Sequence, residues 1–176
     1  MKIMRTTKEM TQGLKDLVNF CDLKEAKMLE IGSYLGESSR IFAESECFSE
    51  IHCLDMWAGG YDNTDYASYN MCGVESNFLK NMSEFAELIT VHKRNSLEIP
   101  TLFEDGYFDF IYIDGNHKKE AVENDIKSCI PKIKKGGYLS GHDYGNRNFS
   151  VTEAVNGILV SPDCVFQDMS WVKKIN

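Results

Sequence analysis

Residues 27–40, KMLEIGSYLGESSR, constrain the fold more than any other stretch. Met28, Leu29 and Ile31 form a short apolar run interrupted by Glu30. The run breaks at Gly32, and a second glycine, Gly36, precedes residues able to start a helix. This pattern reads as strand, tight turn and helix N-terminus. A glycine at a strand end lets the backbone approach a ligand closely, and the first amides of the helix offer donors to a negative group. The spacing is G-x-x-x-G led by an acid two residues ahead, not the G-x-G-x-x-G of a dinucleotide site. On their own, the two glycines are explained equally well as a plain turn.

The rest of the chain repeats the alternation. Thr6 and Glu9 have the form of a capping box ahead of a helical stripe through Met10, Leu14, Leu17, Val18 and Cys21. Residues 37–46 read as a helix, 51–54 as a strand ending in Asp55, 74–85 as a helix and 88–91 as a strand. Residues 107–113, YFDFIYI, are the strongest strand, β-branched or aromatic nearly throughout. Val122, Ile126, Cys129 and Ile130 give another helical stripe, stopped by Pro131. Gly136 and Gly137 lead into a strand at 138–140, and Ser150 with Glu153 forms a second capping box before Ala154, Val155, Ile158 and Leu159. Two short strands near 164–168 and 171–175 close the chain as an antiparallel hairpin. The expectation is one α/β domain over residues 1–176, a doubly wound, Rossmann-like, seven-stranded and mostly parallel sheet with helices on both faces.

Charge narrows the partners. With 19 Lys and Arg against 27 Asp and Glu, the net charge is −8 and the acids are dispersed, which argues against nucleic acid or an anionic membrane as the main partner. The densest basic patch, Lys132, Lys134 and Lys135, reads as a solvated helix end. Six cysteines without a C-x-x-C pair read mostly as small buried hydrophobes in a reducing cytoplasm. No run approaches signal-peptide or membrane-spanning length, so a cytoplasmic protein acting on a small molecule is expected, with a homo-oligomer left open.

In a doubly wound sheet the ligand lies outside the carboxyl ends of the strands, where strand order reverses. The predicted strands end on Glu30-Ile31-Gly32, Asp55, Asn95-Ser96, Asp114-Gly115-Asn116-His117 and His142-Asp143. Carboxylates at the ends of apolar strands are costly to desolvate unless paired, so five such polar ends together are hard to explain as structure alone. Asp55 stands where a nucleoside-binding fold places an acid for two ribose hydroxyls, or it caps a turn. Trp57 either lies against an adenine ring or is a core or lid aromatic. Asp114, His142 and Asp143 would make a divalent-metal site for Mg²⁺, Mn²⁺ or Zn²⁺, the alternative being a hydrogen-bonded His142 and a loop-capping Asp143. His117 is either a general base neutral near pH 7 or a solvent-facing helix-start residue. His52 and His92, inside strands, receive no chemistry. Residues 57–72, rich in Gly, Asn, Asp and Tyr, form a long loop, either a surface excursion or a cover carrying Tyr61, Tyr66 and Tyr69 over the site.

Residues 112–144, YIDGNHKKEAVENDIKSCIPKIKKGGYLSGHDY, resemble the I-D-G-x-H, V-x-x-D and G-G-x-x-x-G-H-D-Y pattern of small class I S-adenosylmethionine-dependent O-methyltransferases. These include macrolide-sugar O-methyltransferases and cephalosporin-pathway relatives, with a metal site laid out like that of catechol O-methyltransferase. The E-x-G-x-x-x-G of 30–36 is similar to their first motif. The resemblance implies that Glu30, Gly32 and Ser33 contact the methionine part of S-adenosylmethionine, Asp55 the ribose and Asn95-Ser96 the adenine side, with Tyr34, Gly36, Met56, Trp57 and Asp114 beside them. It maps Asp114, His142 and Asp143 onto the metal ligands, although the family more often has a carboxylate or amide where His142 stands. The implied reaction is displacement of the sulfonium methyl by a sugar or phenol hydroxyl, with Asp114 holding the metal and His117 or solvent taking the proton. Two other readings keep the fold: a metal-independent enzyme with His117 as base, and a cofactor-binding module without catalysis.

Overall fold

The computed structural model describes residues 8–60 and 71–176. Thr6, Tyr61, Tyr66 and Tyr69, and with them the first capping box and most of the proposed cover, lie outside the described residues, as do the side chains of Glu9 and Met10.

The elements run α1 (Lys8–Cys21), β1 (Ala26–Ile31), α2 (Glu37–Glu44), β2 (Phe48–Asp55), α3 (Val74–Asn81), β3 (Ile89–Lys93) and α4 (Ile99–Leu102). Then follow β4 (Phe108–Ile113), α5 (Lys119–Cys129), β5 (Ile133–Gly141), α6 (Val151–Leu159), β6 (Cys164–Val165) and β7 (Trp171–Lys174). The sheet has the order β3-β2-β1-β4-β5-β7-β6. β1 to β5 pair in parallel, while β7 runs antiparallel to both neighbours. The chain builds outward from β1 to β3, then crosses back to β4 beside β1, so strand order reverses between β1 and β4.

Because successive side chains point to opposite faces, each apolar strand feeds two cores. Met28, Ile51, Phe110 and Tyr112 pack with Leu17 of α1, Phe42 of α2 and Phe78 of α3. Leu29, Leu54, Ile111 and Leu139 pack with Ile99 of α4, Ile126 of α5 and Val155 of α6. A doubly wound sheet with helices on both faces and an antiparallel hairpin at the end is what the pattern predicted.

Three local expectations need correction. β5 begins at Ile133, ahead of the two glycines instead of after them. Its register against β4 shifts between Phe108 and Phe110, and a Cβ on Gly137 would lie 2.7 Å from the Asp109 carbonyl oxygen, so Gly137 accommodates an irregular strand. The basic cluster is not a solvated helix end. Lys132 is buried and donates to the Pro100 carbonyl at 3.0 Å and Asp105 at 2.7 Å, and Lys134 pairs with Asp109. Finally, Ser150 makes no side-chain cap on α6; its backbone N–H donates to the His117 carbonyl at 3.3 Å. Among the described residues a capping box forms instead at Asn95 with Glu98, in a 3-10 turn before α4. No described helix is long and apolar enough to cross a membrane, and the six cysteines are free, with Cys21, Cys53 and Cys129 buried.

Candidate functional site

The polar strand ends meet because the ladder continues past the strands. Gly32 N–H donates to Leu54 O at 2.9 Å, Asp114 N–H to Ile31 O at 2.8 Å and His142 N–H to Ile113 O at 3.0 Å. Gly32 has φ +88°, and a Cβ there would sit 2.1 Å from the Asp114 carbonyl oxygen. Glycine is therefore required by the crossing of the β1 and β4 ends as well as by the left-handed turn.

A cleft of about 350 Å³ opens at this edge. Among the predicted cofactor residues, Gly32, Asp55, Met56, Asn95 and Ser96 line it. The Asp55 carboxylate accepts from Trp57 N–H at 2.7 Å and Tyr34 N–H at 2.9 Å. Burial raises its pKa and these amides hold part of the rise back. The Asn95 amide reaches the Met56 sulfur at 3.1 Å. Sequence reasoning did not assign the opposite wall, which includes Asn116, Lys118, Ala121 and Asp125. Its signals in the sequence were the strand-end position of Asn116 and the V-x-x-D spacing of Val122 and Asp125.

Other predicted residues are placed elsewhere. Glu30 is fully buried and accepts from Ser33 at 2.6 Å, Ser38 at 2.5 Å and Ser39. Burial raises its pKa while the three hydroxyls oppose the rise. Glu30 and Ser33 thus join β1 to α2 and do not line the cleft. Tyr34 has φ +45° and holds the turn, its carbonyl accepting from the Trp57 indole at 2.9 Å. Gly36 takes φ +87° at the start of α2, with Phe78 and Met82 against the space a side chain would need. Trp57 corrects an expectation: it is buried in the core with its ring 5.1 Å from Phe78, the core aromatic of the two alternatives, because its indole N–H is claimed by the Tyr34 carbonyl.

Beside the cleft lies a group of three. The ligand atoms of Asp114, His117 and Asp143 all fall within 4.8 Å of one another. His117 Nε2 is 3.4 Å from Asp114 Oδ1 and 3.1 Å from Asp143 Oδ2. Two carboxylate oxygens and an imidazole nitrogen fit a divalent cation of the Mn²⁺, Zn²⁺ or Mg²⁺ type. His117 therefore stands where the sequence placed His142. His142 stays on the β5 ladder and its Nδ1 meets Asp143 Oδ2 at 3.3 Å, while its buried Nε2 finds no partner among the described residues. Asp143 reaches the group by turning through φ +62°, with Oδ1 accepting from Asn146 at 2.7 Å.

The electrostatics revise the view of His117 as a neutral base. Burial alone would lower its pKa, but hydrogen bonds to Asp114 and Asp143 override it and lift the value to about 10. His142 is raised to about 9 against burial by the Asp114 charge and the Asp143 hydrogen bond. Conversely, the two imidazoles hold Asp143 below the usual carboxylate range despite its burial. Phe149, which sequence reasoning missed, stacks on His117 with centroids 4.1 Å apart and planes 13° from parallel.

The methyltransferase domain model matches residues 29–144, from the end of β1 to just beyond β5. An uncharacterised protein of Acanthamoeba polyphaga mimivirus is 24% identical over 159 residues, covering 83% of this chain and 65% of its own length. A Klebsiella pneumoniae protein assigned to the O-methyltransferases superposes with a TM-score of 0.68 at 18% identity, over 99% of this chain and 83% of that one. A SAM-dependent O-methyltransferase from Thermotoga maritima gives 0.63 at 14% identity, over 91% and 53%. The chain thus spans just under two thirds of the viral relative and about half of the Thermotoga enzyme. At these identities the structures establish a shared fold. With the family model matching about two thirds of its length, the chain belongs to the methyltransferase domain family, and it shares its fold with S-adenosylmethionine-dependent methyltransferases.

Proposed function

We propose that the protein moves the methyl group of S-adenosylmethionine to a small-molecule hydroxyl of sugar or phenol type, with a divalent cation held by Asp114, His117 and Asp143. One observation carries this reading: a single segment serves both halves of the site. Gly115, Asn116 and Lys118 line the cleft, whereas the interleaved Asp114 and His117 belong to the three-residue group. A donor in the cleft and an acceptor at the group would thereby be held by one rigid turn, which is the positioning an in-line displacement needs.

S-adenosylmethionine supplies an electrophilic methyl: the acceptor oxygen gains the C–O bond, the S–C bond breaks, and the hydroxyl proton is released. Asp55, anchored by two amides, offers acceptors to the ribose hydroxyls. Gly32 keeps the turn free of a side chain beside the methionine portion. Asp114 and Asp143 supply the negative charge that would gather a cation, and a cation held there would lower the pKa of an acceptor hydroxyl. Held protonated, His117 does not support the reading of an unaided histidine base.

Titration calorimetry with S-adenosylhomocysteine tests the cleft, and methyl transfer to a panel of phenols and sugars before and after EDTA tests the reaction. Binding together with EDTA-sensitive transfer, abolished in Asp143→Ala, is the expected result. No uptake of S-adenosylhomocysteine overturns the whole reading, and full activity after EDTA removes the cation from it.

A further inference from the structure

Away from the cleft, two histidines from neighbouring strands meet along one hydrogen-bond axis. β3 is the edge of the sheet and pairs with β2 in parallel, Leu54 opposite His92, so His52 and His92 project from the same face. His52 Nδ1 lies 2.7 Å from His92 Nε2, with ring centroids 5.0 Å apart and planes 12° from parallel. The centroid separation exceeds the nitrogen separation by about a ring's width, so the rings lie edge to edge, one lone pair facing one N–H. The other His52 nitrogen, Nε2, meets the Glu50 carboxylate, which also accepts from Tyr107 Oη at 2.5 Å and pairs with Lys27 at 2.9 Å. Burial pushes the Glu50 pKa up, but hydrogen bonds from Tyr107, His52 and Lys27 more than reverse this and bring it to about 2. Ionised, Glu50 only accepts, so His52 Nε2 carries a hydrogen, and between the two rings there is room for one more.

Two neutral rings, or one neutral and one protonated, fit that arrangement. Two imidazoliums would set N–H against N–H. The charged and titratable groups around the pair are Lys27 of β1, Glu50 of β2, Arg94 at the end of β3 and Tyr107 ahead of β4, and Glu50 is already engaged by Lys27 and Tyr107. After α4, Phe103 sets its ring edge-on to both imidazoles, at 5.3 and 5.2 Å. We infer that the His52–His92 pair is an acid-opened latch, fastening edge strand β3 to β2 while it holds at most one positive charge and releasing it when both rings are charged. Burial, and after it the charges of His52 and Arg94, lowers the His92 pKa, in agreement with that order. β3 leads straight into the cleft wall: the Arg94 N–H donates to His92 O at 3.0 Å and to Asp55 O at 3.2 Å, and Asn95 and Ser96 follow. The latch thus steadies that wall whatever ligand the cleft takes.

In an unfolded chain both histidines take up a proton near pH 6.5, roughly, whereas the latched pair takes up one between them. The native state then binds fewer protons, so the latch's contribution to stability is full above that pH and is lost as pH falls below it. Urea denaturation compares wild type with His92→Gln, whose amide still donates to His52 Nδ1 but gains no charge. The folding equilibrium constant of wild type relative to the variant is expected to fall roughly eightfold from pH 6 to pH 5. A ratio that stays constant over this range overturns the inference. A second measurement needs no variant to fold: ring-proton NMR of folded wild type, from pH 8 to pH 5, is expected to show the pair taking up at most one proton. Uptake of two, with the β3 amides still protected from hydrogen exchange, overturns it as well.

Discussion

Gly32 and Asp125 show how much a single position can carry. A methyl group on Gly32 would need a φ that L residues rarely adopt and would collide with the Asp114 carbonyl. Gly32→Ala should therefore cost roughly 2–4 kcal/mol in urea denaturation, more than the ordinary φ penalty alone. For Asp125 the folded pKa of about 6 lies above the ordinary 3.8, so between those values the folded state binds more protons than the unfolded. Its contribution to stability accordingly falls as pH rises through that window. Measured against Asp125→Asn, the wild type should lose about 2 kcal/mol of relative stability between pH 4 and pH 7. At the three-residue group, a cation and the His117 proton compete for the same carboxylates. Binding of Mn²⁺ should therefore release about one proton and tighten about tenfold per pH unit while His117 stays protonated. Calorimetry in two buffers of different ionisation enthalpy reads that proton directly.

Elements here are joined by buried polar contacts that composition does not reveal. Glu30 ties β1 to α2 through three serine hydroxyls, and removing it strands those donors in the interior. Glu30→Ala should destabilise by about 3–5 kcal/mol and lower Tm by roughly 6–20 °C, with Glu30→Gln milder because it keeps one acceptor. The E-x-G-x-x-x-G spacing was visible in the sequence, but its acid serves the turn and the helix, not the cleft. β5 was legible only in its second half. Gly136 and Gly137 look like a chain break, and it is pairing with β4 through a shifted register that makes them strand. His142 illustrates the same limit: strand-end position was readable, yet the αL turn at Asp143 decided that His117, from the next loop over, would join the two acids.

For the molecule as a whole, the cleft lies at the β1–β4 reversal, where both halves of the sheet contribute walls. A ligand that binds only the folded state adds stability by mass action, about 2.7 kcal/mol at a hundred times its Kd. S-adenosylhomocysteine at that excess should raise Tm by several degrees, and NAD, whose pyrophosphate lacks the G-x-G-x-x-G turn, should leave it unchanged in a thermal-shift titration. By itself the sequence determined the alternation of strands and helices, the polar ends of the strands and the family pattern of 112–144, because periodicity, glycine punctuation and motif spacing are local properties. Only the tertiary structure decided that Trp57 is core, that His117 displaces His142 and that Asp125 faces the cleft. Those outcomes depend on which side chains meet across elements far apart in the chain, and no local pattern encodes that.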